Sequence, residues 1–229
     1  MNGLDLYAKI EYLFDFEDVM EFLWDKYIEE LKSLKVKKVL DIGCGSGGFM
    51  LKAKEAGIDV VGIDISLEMV KNAQKKNLEV YHKDLCEFDG KFDACVAIFD
   101  VINYMDKEYL KNFFKCVKNV LKKDGYFLFD VNTLYGFEEI AQGTLAVEDK
   151  DIFGVLNSVF DDNKMETKIT LFEKNNKCYQ KEEGSIIQYF YKNSELKKLT
   201  SLKFDKKIDI NLYGGEMADK NLLVFKRKD

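Results

Sequence analysis

The 229-residue chain has no proline, one histidine (His82), one tryptophan (Trp24) and one arginine (Arg227). Without proline no loop is stiffened by a fixed φ, so turns must be set by glycine, asparagine, aspartate and packing. Five cysteines (Cys44, Cys86, Cys95, Cys116, Cys178) form no C-x-x-C pair. With a lone histidine they offer no metal-ligand spacing, so no zinc site is expected and reduced thiols are the natural reading. No apolar run approaches the roughly 18 residues of a membrane span. The opening MNGLDLYAKIEYLFDFED carries carboxylates where a signal peptide needs basic residues and then an apolar run. Positive charge is also in deficit: 35 Lys and Arg against 41 Asp and Glu give a net charge of −6. No overall field therefore draws phosphate backbones or anionic lipid. Together these absences lead us to expect a cytoplasmic protein that engages no metal, nucleic acid or membrane.

What is present fits a sizeable core, since 47% of the residues are hydrophobic. Residues 4–34 place Val19, Phe22, Leu23, Tyr27 and Leu31 at helical spacing, which predicts one or two opening helices. KKVLDIG (37–43) then reads as a strand, and SGGFMLKAKEAG (46–57) as a helix with Ser46 near its N-cap and Gly57 to stop it. IDVVGID (58–64) is a second strand, and Ser66 opens the helix LEMVKNAQKKN. LEVYHKD (78–84) and FDACVAIFD (92–100) are further strands. KEYLKNFFKCVKNVLKK (107–123) is an amphipathic helix, and Gly125 leads into the strand YFLFDVN (126–132). Strands alternating with helices, several of them continuously apolar, imply a doubly wound α/β sheet covered on both faces. Ligands in such sheets bind beyond the carboxyl ends of the strands. Asp41, Asp64, Asp84, Asp100 and Asp130 all fall there.

After about residue 143 the pattern changes to alternation with polar turns at DDNK and NN, which predicts a meander of three antiparallel strands. A short helix, SELKKLTSL, and two closing strands within KFDKKIDINLYGGEMADKNLLVFKRK follow. The expected organisation is a core of residues 1–142 and 193–229 with an N-terminal helical cap, and an antiparallel β lid over residues 143–192.

The stretch VLDIGCGSGGF (39–49) satisfies two glycine templates. Gly43, Gly45 and Gly48 make G-x-G-x-x-G, which suits a dinucleotide, with Asp64 about twenty residues on for ribose hydroxyls. Asp41, Gly43, Gly45 and Gly47 make D-x-G-x-G-x-G. Asp41 tips the balance, because a carboxylate beside a pyrophosphate is unfavourable: two unit charges 4 Å apart interact by roughly 4 kcal/mol at an effective dielectric of 20. A ligand carrying an ammonium and a sulfonium would instead be favoured.

With that loop, VVGIDIS, HKDL, FDACVAIFDVINYM and LKKDGYFLFDVNT follow in order and resemble the successive motifs of class I S-adenosylmethionine-dependent methyltransferases. The resemblance implies a Rossmann-like methyltransferase fold, a seven-stranded, mostly parallel sheet with the β lid inserted after strand five. It also implies cofactor roles. Gly43, Cys44 and Gly45 would lie against the methionyl group of S-adenosylmethionine and Asp41 would orient its ammonium. Asp64 would take the ribose hydroxyls, Ile65 and Met69 would flank adenine, and Asp84 with the Leu85 N–H would read its edge. Phe99 would contribute backbone near the methionine, and Tyr7 would cap the cofactor from the N-terminal helices.

For the acceptor, the loop ends supply Asp100, Asn103, Tyr104 and Asn132, with Tyr12 from the N-terminal helices. Tyr104 and Asp130 are candidates for proton transfer, and His82, mid-strand, reads as structural. The fourth motif lacks the Asn-Pro-Pro-Tyr and Asp-Pro-Pro-Tyr signatures, and the chain lacks a Pro-Cys nucleophile, which counts against nucleic-acid substrates. The meander resembles the branch holding amino-sugar and glycine N-methyltransferase-like enzymes. A small-molecule amine acceptor, the product S-adenosylhomocysteine and a monomer or homodimer are expected. A nicotinamide-dependent oxidoreductase and a catalytically silent S-adenosylmethionine-binding module are the rival readings.

Overall fold

The computed structural model describes residues 3–14 and 16–229. Met1, Asn2 and Asp15, which fall within the expected domain 1–142, lie outside the described residues. The chain opens with α1 (Gly3–Ala8), a 3-10 turn (Glu11–Leu13) and α2 (Glu17–Ser33), followed by β1 (Lys38–Ile42), α3 (Gly48–Glu55), β2 (Asp59–Asp64), α4 (Leu67–Lys75) and β3 (Val80–His82). Then come β4 (Phe92–Ala97), α5 (Lys107–Val120) and β5 (Leu121–Asn132). Four long strands follow, β6 (Gly143–Asp149), β7 (Ile152–Asp161), β8 (Lys164–Asn175) and β9 (Cys178–Tyr189). The chain ends with α6 (Asn193–Leu199), β10 (Lys203–Ile210) and β11 (Lys220–Lys226).

Seven strands form one sheet in the order β10-β11-β5-β4-β1-β2-β3. Only β11 runs against its neighbours, so the sheet is mostly parallel, as expected. One face packs on α2, α3 and α4 through Leu23, Tyr27, Leu31, Phe49, Met50 and Val70. The other packs on α5 and α6 through Leu110, Phe113, Phe114, Val117 and Leu196. Burial on both faces is why FDACVAIFD is an unbroken apolar run.

α5 shows how local sequence sets these elements. Its N-cap Asp106 accepts N–H bonds from Glu108 at 3.0 Å and Tyr109 at 2.8 Å. Leu110, Phe113, Phe114 and Val117 recur at helical spacing and are buried. The helix ends at Val120 rather than 123, because Leu121 already pairs with Phe92 as the start of β5. α4 is capped by Ser66, whose hydroxyl accepts from Met69 N at 3.4 Å. α3, by contrast, is capped by Gly47 with φ of 83° rather than by Ser46.

The second sheet is a meander, β6-β7-β8-β9. It holds four strands, not three, and β6 is the unforeseen one. GTLAVED is exposed along nearly its whole length, so no alternation of apolar residues marks it. Asp162 and Asn163 (φ 45° and 61°) and Asn176 (φ 57°) make the turns that DDNK and NN predict. α1 packs Leu6, with Ile10 just after it, against Leu156, Ile169, Leu171 and Ile186 of this sheet.

The thiol expectation is corrected. Cys86 and Cys116, 30 residues apart, form a disulfide across a Cα–Cα distance of 5.1 Å. The 3-10 turn Leu85–Glu87 rests on α5, and this contact between distant segments leaves no spacing pattern in the sequence. Cys44, Cys95 and Cys178 are free.

Candidate active site

β1 and β4 are neighbours from which the sheet extends in opposite directions, and the segments that follow them diverge. Such a switch point leaves a crevice at the carboxyl ends of the strands. Here it opens into a cleft of about 1280 Å³, walled by the glycine loop, the start of α4, the loop after β4, the N-terminal segment and Tyr213. Pockets for one small ligand span roughly 300–1,000 Å³, and this cleft exceeds that range.

Both glycine templates are satisfied, for different physical reasons. Gly47 sits at φ 83°, a conformation that disfavours any side chain. Gly48 is helical, and a Cβ there would lie 2.4 Å from the Trp24 ring, so it lets α3 approach α2. Gly43 and Cys44 donate N–H bonds to Ile63 O at 2.9 and 3.1 Å, which ties the loop to β2.

Asp41 is 2% exposed and lines the cleft. Among the described residues no donor meets its carboxylate. Burial, reinforced by the charge of Asp64, pushes its pKa up to about 8. A buried carboxylate without a partner is costly, and a cationic group in the cleft would supply what the protein withholds. Asp64 accepts from Gly45 N and Ser66 N, each at 2.8 Å. These bonds brace the loop and leave acceptor capacity on both oxygens. Ile65 is 67% exposed beside it and Met69 is half-buried, and both line the cleft. Asp84 caps its own turn through Cys86 N at 2.8 Å and accepts from Tyr109 Oη at 2.7 Å. Leu85 and Phe99 also line the cleft. His82 is exposed, with Nε2 3.0 Å from Ile65 O, and falls outside the lining.

The acceptor candidates separate into two groups. Asp100, Tyr104, Tyr12 and Tyr7 line the cleft. Asn103, Asn132 and Asp130 do not, and three expectations are corrected accordingly. Asp130 is fully buried and accepts from Tyr27 Oη at 2.8 Å, Phe99 N at 2.8 Å and Asp100 N at 3.2 Å. With its lone pairs engaged beneath the loop, it holds the loop in place and does not face the cleft. Asn103 donates to Tyr189 O at 2.8 Å and accepts from Asn132 N at 3.1 Å, joining the second sheet to β5. Asn132 in turn accepts from Lys220 Nζ at 2.9 Å.

Tyr104, the other candidate for proton transfer, lines the cleft and is 38% exposed. Burial and then the charge of Asp100 raise its pKa above the ordinary phenol value. Tyr7 is raised by burial and then by Glu11, and Tyr213 is pushed up to about 12 by burial, with Asp100 adding to it against Lys220. All three phenols are thus raised above the ordinary phenol value. They line the cleft together with Asp100, from three separate segments of the chain.

Sequence reasoning missed an aromatic row. Tyr7 stacks on Phe14 at 5.6 Å between ring centroids, Phe14 on Phe16 at 5.5 Å, and Phe16 meets Tyr213 edge-on at 6.3 Å. The aromatic density of EYLFDF was the available signal. Glu11, also missed, has its pKa raised by burial and then by the charge of Asp64. The cleft lining thus carries nine acidic residues, Glu11, Asp41, Asp64, Asp84 and Asp100 among them, against two lysines, Lys76 and Lys83. Among the described residues no cluster of His, Cys, Asp or Glu is built to hold a metal ion. No helix among them is long and apolar enough to cross a membrane.

Comparison with known proteins agrees with this geometry. Residues 39–125 match the model of a methyltransferase domain. YqeM of Bacillus subtilis, a methyltransferase by name, is 38% identical over 140 residues, which is 56% of this chain and 56% of its own length. The chain thus spans about half the length of the curated relatives it matches. An S-adenosylmethionine-dependent methyltransferase from Clostridium acetobutylicum superposes with a TM-score of 0.79 at 22% identity, covering 97% of this chain and 99% of that one. The sugar N-methyltransferase KedS8 from Streptoalloteichus superposes with a TM-score of 0.73 at 17% identity, covering 100% and 94%. The two superpositions establish the fold.

Proposed function

We propose that this chain, which carries a methyltransferase domain in residues 39–125 within the fold of S-adenosylmethionine-dependent methyltransferases, transfers a methyl group from S-adenosylmethionine to a small-molecule amine. The observation that carries the reading is Asp41, a buried carboxylate on the cleft wall with no protein donor. An α-ammonium is the partner it lacks. The donor supplies a sulfonium-activated methyl, and the protein's own work is to bind, orient and exclude water, a contribution that can reach about 7–11 kcal/mol.

In this reading Gly43, Cys44 and Gly45 offer backbone to the methionyl group, Asp64 takes the ribose hydroxyls, and Ile65 and Met69 flank adenine. Asp84 and the Leu85 N–H read the adenine edge with the acceptor capacity left by Cys86 N and Tyr109. Phe99 presents backbone near the methionine, and Tyr7 closes over it. The acceptor occupies the remaining volume, beside Asp100, Tyr12 and Tyr104. Rings and carboxylates together attract a cation through quadrupole and charge, which favours an amine. After the amine loses a proton to water, its nitrogen lone pair attacks the methyl carbon as the bond from that carbon to sulfur breaks, and S-adenosylhomocysteine leaves. Likeness to a sugar N-methyltransferase is consistent with that choice. The sheet of residues 143–192 acts as a lid over the acceptor. A cytoplasmic setting, no nucleic-acid partner and a monomer or homodimer complete the reading.

Calorimetry with S-adenosylmethionine, S-adenosylhomocysteine and NADH tests the first step. Binding of the first two and not the third is expected, and silence toward both at millimolar concentration overturns the proposal. Incubation with methyl-labelled S-adenosylmethionine and a fractionated metabolite pool should then label a small amine. A protein that binds the donor yet labels nothing would be a silent module.

A further inference from the structure

Lys220 is the first residue of β11 and is 1% exposed. Lysine is almost never fully buried unless paired, and its position brings two carboxylates together. The ammonium contacts Asp100 Oδ1, lies 2.9 Å from Asn132 Oδ1 and 3.3 Å from Asp130 Oδ2, and sits 6.0 Å from the centre of the Phe99 ring. It does not line the cleft, so it touches no ligand there. The segment it grips is unusual: Phe99 and Asp100 are consecutive non-glycine residues with φ of 61° and 63°. The other such pair among the described residues, Asp162 and Asn163, makes a hairpin turn of residue types that tolerate it, whereas a left-handed phenylalanine outside a hairpin persists only where the surroundings hold it there. Asp130 supplies half of that restraint by accepting both N–H groups. Lys220 supplies the other half by fixing the Asp100 side chain itself.

We propose that Lys220 is a positioning residue for the methyl acceptor: by holding Asp100 and Asp130 on one point it keeps the Phe99–Asp100 backbone left-handed and sets the Asp100 carboxylate in the cleft wall among Tyr7, Tyr104 and Tyr213. The role assigned to that wall rests on the amine-methyltransferase reading. The restraint on the loop does not, and it can be measured without a ligand.

Amide hydrogen exchange on the full unliganded chain is the test. In Lys220→Met, exchange at Phe99 and Asp100 should quicken at least tenfold while Gly43 and Cys44, bonded to Ile63 O, stay within threefold. Lys220→Arg should restore protection. Equal quickening at both places would mean general loosening and overturn the proposal, as would unchanged exchange at Phe99 and Asp100. If Lys220→Met does not fold, the double variant Lys220→Met/Asp100→Asn removes one of the two carboxylates. It should show the same local loosening, and wild-type protection there overturns the proposal. Tetramethylammonium, titrated into protein loaded with S-adenosylhomocysteine, probes the wall. Its affinity should fall at least fivefold in Lys220→Met and less than twofold in Lys220→Arg. Failure of the wild type to bind S-adenosylhomocysteine or this cation would count against the proposed function, while the exchange result still decides whether Lys220 restrains the loop.

Discussion

The two sheets of this molecule solve different problems. The seven-stranded sheet is buried on both faces and places its charges at one end, where Asp41, Asp64 and Asp100 meet the cleft. The four-stranded sheet buries a small cluster on one side, under α1, and leaves β6 almost bare. The first can fix a site rigidly because every strand is locked by neighbours and helices. The second, held by fewer apolar contacts, belongs to the low-stability end of the molecule, from which moving elements are drawn. The sheet that carries the cleft carboxylates and the sheet under α1 are thereby separable in energy.

The largest test of that separation is in the core. Phe129 is fully buried between Phe114, Phe127 and Phe225. Phe129→Ala should cost about 3–5 kcal/mol in urea unfolding and destabilise the whole chain together. Ile169, 1% exposed in the second sheet, should behave otherwise. Ile169→Ala should cost about 2–4 kcal/mol locally, so exchange quickens in β7, β8, β9 and α1 while S-adenosylhomocysteine affinity holds within threefold. A uniform loss of protection across both sheets would refute the separation.

Asp41 sharpens the comparison from the donor side. Its folded-state pKa of about 8 lies above the ordinary carboxylate value, so the folded protein holds a proton there that the unfolded chain has lost. The sign is that of a destabilising group: stability falls as pH rises from about 4 toward 8. Asp41→Asn should therefore raise Tm in unliganded protein at pH 8, by about 2–4 °C for each kcal/mol recovered. The same change should weaken S-adenosylmethionine roughly 10- to 100-fold, the worth of about 1.5–3 kcal/mol in a charged hydrogen bond. Wild-type affinity should improve as pH rises from 6 toward 8, and affinity flat over that interval would remove Asp41 from the ammonium site.

The large sheet was legible because buried parallel strands leave continuous apolar runs bounded by glycine, as in VLDIG and VVGID. β6 was not, since an exposed strand of GTLAVED composition carries no periodic signal. The candidate site was half legible. Asp41 announced itself by its place before the glycines, but DVINYM and FDVNT offer polar residues that can face a ligand or be consumed inside. Asp130, Asn103 and Asn132 are consumed, by Tyr27, Tyr189 and Lys220 respectively. No local pattern marks Lys220, since among 34 lysines only the fold decides which one is buried. The Cys86–Cys116 bond was hidden for the same reason.

The smallest expected effect lies where α1 is clipped to the second sheet. Lys9, just past α1, bridges Glu182 at 2.5 Å and Glu173 at 3.2 Å with its side chain 32% exposed. Its pKa is raised, first by the hydrogen bond to Glu182 against the lowering by burial, with Glu173 adding to it. A lysine raised in this way contributes stability that is complete below its unfolded value near 10.4 and lost only above it. The bridge is therefore fully present at neutral pH, yet solvent screening holds a partly exposed pair to about 0.2–1 kcal/mol. Lys9→Met should quicken exchange in α1 and the facing ends of β8 and β9 by no more than about fivefold, and the difference should shrink at 1 M salt, where the Debye length is about 3 Å. An effect that survived high salt undiminished would mean that α1 is held by packing rather than by charge, and one that reached the glycine loop would mean that the two sheets are coupled through packing.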